Sequence, residues 1–139
     1  MRKIFLDANI IIDLVNSGNK SHTDSLFLFN ELLKQKLKLY ISPTTFAITY
    51  YFLNKNIKDS AKLNLAVVKL FNNFSFTRED DVIMSKVLKS SFTDLEDGLQ
   101  YYSALDSGAD LIISYNQHDF INSSIPVYHP LQYISEFLL

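Results

Sequence analysis

Cysteine is absent from the 139 residues. That rules out a disulfide framework and a thiolate metal site, so any metal must take oxygen or histidine ligands. Tryptophan is absent too, although aromatics still make up 14% of the chain. No stretch reaches the roughly 18 apolar residues of a membrane span. Met1 to Asp7 has no long apolar run after its two bases, which does not match a signal peptide. These absences lead to the expectation of a cytoplasmic protein with no membrane partner. Basic residues are missing from the last third, since all thirteen Lys and Arg lie between Arg2 and Lys89.

What is present is globular in balance, with 47% hydrophobic and 20% charged residues. The length fits one domain, 1–139, with a sizeable core. Charge is uneven. Residues 90–139 hold seven acids and no Lys or Arg, namely Asp94, Glu96, Asp97, Asp106, Asp110, Asp119 and Glu136. The first 89 residues set thirteen bases against eight acids. The acidic third is either a solvated face or a set of carboxylates that converge where a cation neutralises them. In the second case a basic rim from the rest of the chain could meet a polyanion.

Strand and helix patterns alternate along the chain. Lys3 to Asp7 reads as a short buried strand and Asn9 to Val15 as a short helix. A helix is expected from Ser21 to Lys36, with Leu26, Phe29, Leu32 and Leu33 on its apolar stripe. Leu37 to Ile41 follows as a strand. Ser42 and Pro43 then open a helix to Leu53 that is expected to be buried, Tyr50, Tyr51 and Phe52 included. Asp59 caps a helix to Phe71, and Ser75 to Thr77 is a third strand. Thr77 and Asp80 resemble a capping box for the next helix. Another helix opens at Thr93 or Asp94 and closes at Gly108. Asp110 to Ser114 is a clear strand, Ile125 to Tyr128 an edge strand because of Pro126, and Leu131 to Leu139 a terminal helix. Such alternation implies a parallel sheet covered on both faces, with ligands beyond the carboxyl ends of the strands. Asp7 lies at such an end. Asn116 and Asp119 follow another, and Asp94 and Asp97 open the helix leading into it.

Two segments carry a resemblance. One is Phe5–Leu6–Asp7–Ala8–Asn9–Ile10–Ile11–Ile12–Asp13–Leu14. The other is Asp94–Leu95–Glu96–Asp97, followed by Ala109–Asp110–Leu111–Ile112–Ile113–Ser114–Tyr115–Asn116–Gln117–His118–Asp119–Phe120. Together, and with the element order, they resemble the PIN domain of VapC-type toxins. The resemblance implies a three-layer α/β/α sandwich with a central parallel sheet. It also implies a cluster of acids that binds Mg²⁺ or Mn²⁺ for endoribonuclease cleavage of RNA, restrained by a small antitoxin, in a homodimer. By position, Asp7 and Asp97 become the principal metal ligands and catalytic acids. Asn116 or Asp119 supplies the last ligand position, Asp94 is an additional acid, and Asn9 supports Asp7. Oxygen ligands of this kind suit both ions.

The chain also departs from the family pattern. A Glu common in the helix after the second strand is replaced by Ile48, and no acid occurs from Leu32 to Lys58. The usual Thr–Arg after the last core strand is Ser114–Tyr115. A catalytically weak PIN-like module that binds RNA or protein is therefore the alternative. A phosphotransfer enzyme fits less well, since its usual late Lys is missing after Lys89. His22, His118 and His129 show no paired metal spacing and read as loop residues. Lys34, Lys36 and Lys38 read either as phosphate contacts or as a solvated helix end.

Overall fold

The computed structural model describes residues 1–138. Five strands form one sheet: β1 (Arg2–Leu6), β2 (Leu37–Ile41), β3 (Ser75–Phe76), β4 (Leu111–Ile113) and β5 (Val127–Tyr128). Their order is β3-β2-β1-β4-β5, and every pair is parallel. Parallel neighbours need crossovers. Between β1 and β4 these carry α1 (Ala8–Val15), α2 (His22–Leu33), α3 (Pro43–Asn56), α4 (Ser60–Phe71), α5 (Asp81–Leu88) and α6 (Leu95–Asp106), whereas β4 passes to β5 through a 3₁₀ turn, Gln117–Phe120, and α7 (Pro130–Tyr133) follows β5.

The period-two alternation of β1 divides the core between two faces. Ile4 and Leu6 join Leu39, Ile41, Leu111 and Ile113 in one cluster with residues of α1, α2 and α7. Phe5 joins Tyr40, Ile112 and the α6 residues Tyr101 and Ala104 in the other. This is the expected three-layer α/β/α sandwich. Proline confines β5 to an edge, as its sequence implies. No described helix is long and apolar enough to cross a membrane.

Several expectations need correction. The buried stripe of α2 is Ser25, Leu28, Phe29 and Leu32, whereas Leu26 and Leu33 are exposed. The polar Ser25 takes a core position because its hydroxyl pairs with Tyr115 Oη at 2.9 Å. The helix ends at Leu33, not Lys36. Only Thr45, Thr49 and Leu53 of α3 are buried, and Tyr51 is 64% exposed. Tyr50 and Tyr51 are therefore surface rather than core, while Phe52 is half-buried. Thr77 does not cap α5; Asp80 does, through Ile83 N–H at 3.1 Å. The expected terminal helix is one α turn, Pro130–Tyr133, continued by a π turn to Leu138, and Leu139 lies outside the described residues.

Gly98 sets the approach of α6 to α5. A Cβ there would stand 2.7 Å from Val87 Cγ1 and 3.3 Å from Phe92 Cβ. Both neighbours belong to packed apolar surroundings, so something must shift. Gly98→Ala is expected to lose about 1–3 kcal/mol by overpacking, despite the better helix propensity of alanine. Urea denaturation checks this; an unchanged or raised midpoint would show that α5 yields without cost.

Candidate metal centre

The parallel register brings the carboxyl ends of the central strands together. Leu6 pairs with Ile113, so Asp7 and Ser114 are the next residues on adjacent strands. The Asp7 N–H donates to Ile113 O at 3.0 Å. The Ser114 hydroxyl donates to Asp7 Oδ2 at 2.6 Å. Asp7 is also the N-cap of α1, its Oδ1 accepting from Ala8 N–H at 2.8 Å. Its metal and capping readings thus fall on the same side chain. Asn9 supports it, donating from Nδ2 to Asp7 Oδ2 at 3.2 Å.

The second acid group comes from α6. Asp94 is the N-cap, with Oδ1 accepting from Asp97 N–H at 2.9 Å. Asp94, Asp97 and Asp119 line one cleft, together with His118 and Asn122. His118 Nε2 lies 3.2 Å from Asp119 Oδ1. Asn116 is exposed and does not line this cleft; its backbone N–H donates to Ser114 Oγ at 3.0 Å.

Electrostatics couple the two groups. Burial pushes the Asp7 carboxyl above its ordinary range. Hydrogen bonds from Ser114, Ala8 and Gln100 oppose this, and the charge of Asp119 adds to it. Asp97 is pushed up to about 6, first by burial and then by Asp119, Asp94, Asp7 and Glu96. Glu96 is raised by burial and by Asp94, Asp7 and Glu79. Among the described residues, no Lys or Arg forms an ion pair with Asp7, Asp94, Asp97 or Asp119. Arg78 is engaged with Asp106 and Asp80 instead.

This donor set fits a hard divalent cation. Its atoms are carboxylate oxygens, and their mutual repulsion is the kind of strain that a cation relieves. Asn9 Oδ1 adds a buried carbonyl oxygen with no hydrogen-bond partner. Among the described residues, no three His, Asp or Glu side chains are grouped closely enough to enclose a metal ion. An ion such as Mg²⁺ needs no such cage, because it is commonly held by one or two carboxylates and completed by water.

A sequence model of the PIN domain matches residues 3–118. The chain belongs to the PIN domain family. It is 30% identical over 128 residues to Ribonuclease VapC1 of Aquifex aeolicus, across 90% of this chain and 88% of that one. Its fold is similar to that in the VapBC-1 structure from nontypeable Haemophilus influenzae, with a TM-score of 0.67 at 19% identity, covering 93% of this chain and 98% of that one. It is also similar to Mycobacterium tuberculosis VapC20, with a TM-score of 0.59 at 15% identity, over 78% and 86% of the two chains.

Two departures of this PIN domain acquire a structural reading. Tyr115, standing where a Thr–Arg pair would carry its Arg, turns to α2 and bonds Ser25 Oγ and Ser21 O at 2.9 and 3.3 Å. It braces the fold. Ile48 is half-buried and brings no charge. An acid nevertheless reaches the start of α3 from elsewhere, since the Glu79 carboxylate accepts from Thr44 N–H and Thr44 Oγ1, each at 2.6 Å. Sequence reasoning did not single out Glu79, Ser114 as the partner of Asp7, or the buried Gln100. Only Ser114 carried a signal, as the first polar residue after the apolar run of β4.

Proposed function

We propose that this PIN domain is a Mg²⁺- or Mn²⁺-dependent endoribonuclease, the toxin of a toxin–antitoxin pair acting on cytoplasmic RNA. The observation that carries the reading is the cleft of Asp94, Asp97 and Asp119 coupled electrostatically to buried Asp7, with no Lys or Arg among the described residues paired to any of them. When bound, the ion lowers the pKa of a water and stabilises charge on the scissile phosphate. Asp7 and Asp97 hold it. Asp119 or Asp94 binds a second ion or orients the attacking water, and Asn116 borders the site. Ser114 and Ala8 keep Asp7 oriented for its part.

The relatives support the details. The Aquifex protein is a ribonuclease, and the M. tuberculosis toxin is described as cleaving the sarcin–ricin loop. That makes ribosomal RNA the first substrate to try. The H. influenzae structure is of a toxin–antitoxin complex, which supports a small antitoxin as partner. Exposed Tyr50, Tyr51, Val68 and Phe71 on α3 and α4 offer apolar surface for a homodimer.

A second reading is a weakly catalytic PIN module that binds RNA or protein. Ile48 and the inward-turned Tyr115 favour it. Incubation with ribosomal RNA separates the two. The nuclease reading expects discrete fragments with millimolar Mn²⁺ and none with EDTA. Intact RNA under both conditions, with no Mn²⁺-induced change in melting temperature, would favour the binding module.

A further inference from the structure

Gln100 has no part in the mechanism above, yet it is only 2% exposed and touches the core of the site. Its Oε1 accepts from the Ala8 N–H at 2.9 Å. The same N–H already donates to Asp7 Oδ1 at 2.8 Å. Satisfying the Ala8 donor therefore does not by itself require Gln100. Enclosing a carboxamide costs free energy unless it is bonded, and an apolar side chain would fill this place without that cost.

The other neighbours of Gln100 point the same way. Thr45 Oγ1 lies 3.5 Å from the same Oε1, and Thr45 is held by Ser42 Oγ at the start of α3. The carboxamide also lies close enough to the Asp7 carboxylate to favour its charged form. Gln100 lies three residues beyond Asp97 on α6, a spacing that places both on one side of the helix. One side chain thus joins the β1–α1 junction, α3 and the helix that carries Asp97.

We propose that Gln100 is a positioning residue that ties α6 to Asp7 and serves as the standby acceptor of the Ala8 N–H, so that Asp7 Oδ1 can turn to a divalent cation without stranding a buried donor. This rests on the metal-dependent reading above. Outer partners of this kind tune metal sites because they fix the direction of a ligand oxygen. Here the partner is shared between the ligand and the amide that the ligand caps.

Gln100→Met keeps the volume and removes the acceptor. Mn²⁺ is titrated calorimetrically into wild type and variant without RNA, at a temperature where both are folded. The variant is expected to bind Mn²⁺ about 10–100-fold more weakly. Its kcat on RNA should fall by a similar factor with KM unchanged. Gln100→Glu, which keeps an oxygen at the Ala8 N–H, should recover Mn²⁺ binding at pH 8. Wild-type Mn²⁺ affinity in Gln100→Met overturns the proposal, however far its melting temperature has dropped. Equal losses in Gln100→Met and Gln100→Glu overturn it as well.

If Gln100→Met does not fold, hydrogen exchange at the Ala8 amide of the wild type decides. Protection should persist when Mg²⁺ saturates the site, and its loss would overturn the proposal. A wild-type protein that neither binds Mn²⁺ nor cuts RNA refutes the nuclease reading itself. Wild-type binding with an indifferent Gln100→Met refutes only the role of Gln100.

Discussion

Asp7→Asn is expected to lower RNA cleavage by about 10³-fold while raising the melting temperature of the metal-free protein. The two effects share one cause. Asp7 is 4% exposed, and burial together with the charge of Asp119 works against its ionised form. A neutral amide escapes both penalties. It also keeps an oxygen for the Ala8 N–H, now held by Asp7 Oδ1 at 2.8 Å. Its amide N–H₂ would face the Ser114 hydroxyl and the Asn9 donor, but the hydroxyl can turn to accept and Asn9 can rotate its unpartnered Oδ1 into that place. The fold therefore tolerates the change and the chemistry does not, because an amide is a poor ligand where charge must be neutralised. Cleavage kinetics and thermal melts of the same samples test this. Equal cleavage by both proteins would remove Asp7 from the mechanism. A lower melting temperature would show that the Ser114 and Asn9 bonds outweigh the cost of burying the charge.

The parts legible in the sequence were those written as repetition. The apolar runs of β1 and β4 have a length that only a buried strand explains, and the acids follow them directly. Asp94 announced its helix by capping it. The parts that were not legible depend on a partner distant in the chain. Ser25 reads as polar and hence exposed until Tyr115, 90 residues later, supplies its hydrogen bond. That displaced the expected stripe of α2 toward Leu26 and Leu33. Gln100 lies in a stretch of α6 where Gly98, Leu99, Tyr101, Ser103 and Ala104 are all buried. No periodicity distinguishes a buried carboxamide there from a surface one. Its meaning comes from Ala8, 92 residues away. Glu79 likewise acquires a role only when folding sets it against Thr44.

Protons and a divalent cation are expected to compete for the cleft, and this reverses the pH trend of stability. The ordinary value for an aspartate is 3.8, whereas Asp97 titrates at about 6 and Asp7 is displaced in the same direction. Between these values the folded chain holds more protons than the unfolded chain. The contribution of these groups to metal-free stability is therefore full at the acid end of the window and lost as pH rises through about 6. A cation requires the ionised carboxylates, so its apparent affinity falls as pH drops through the same window. At roughly 100 times its Kd, Mn²⁺ stabilises the fold by about 2.7 kcal/mol, worth roughly 10 °C in melting temperature for a chain of this size. That gain is expected at pH 7.5 and should nearly vanish at pH 5. Asp97→Asn separates this site from the other titrating groups. It should flatten the metal-free decline between pH 5 and 7 and abolish most of the Mn²⁺ gain at pH 7.5. A gain of equal size at both pH values, or one that survives in Asp97→Asn, would place the ion away from these carboxylates.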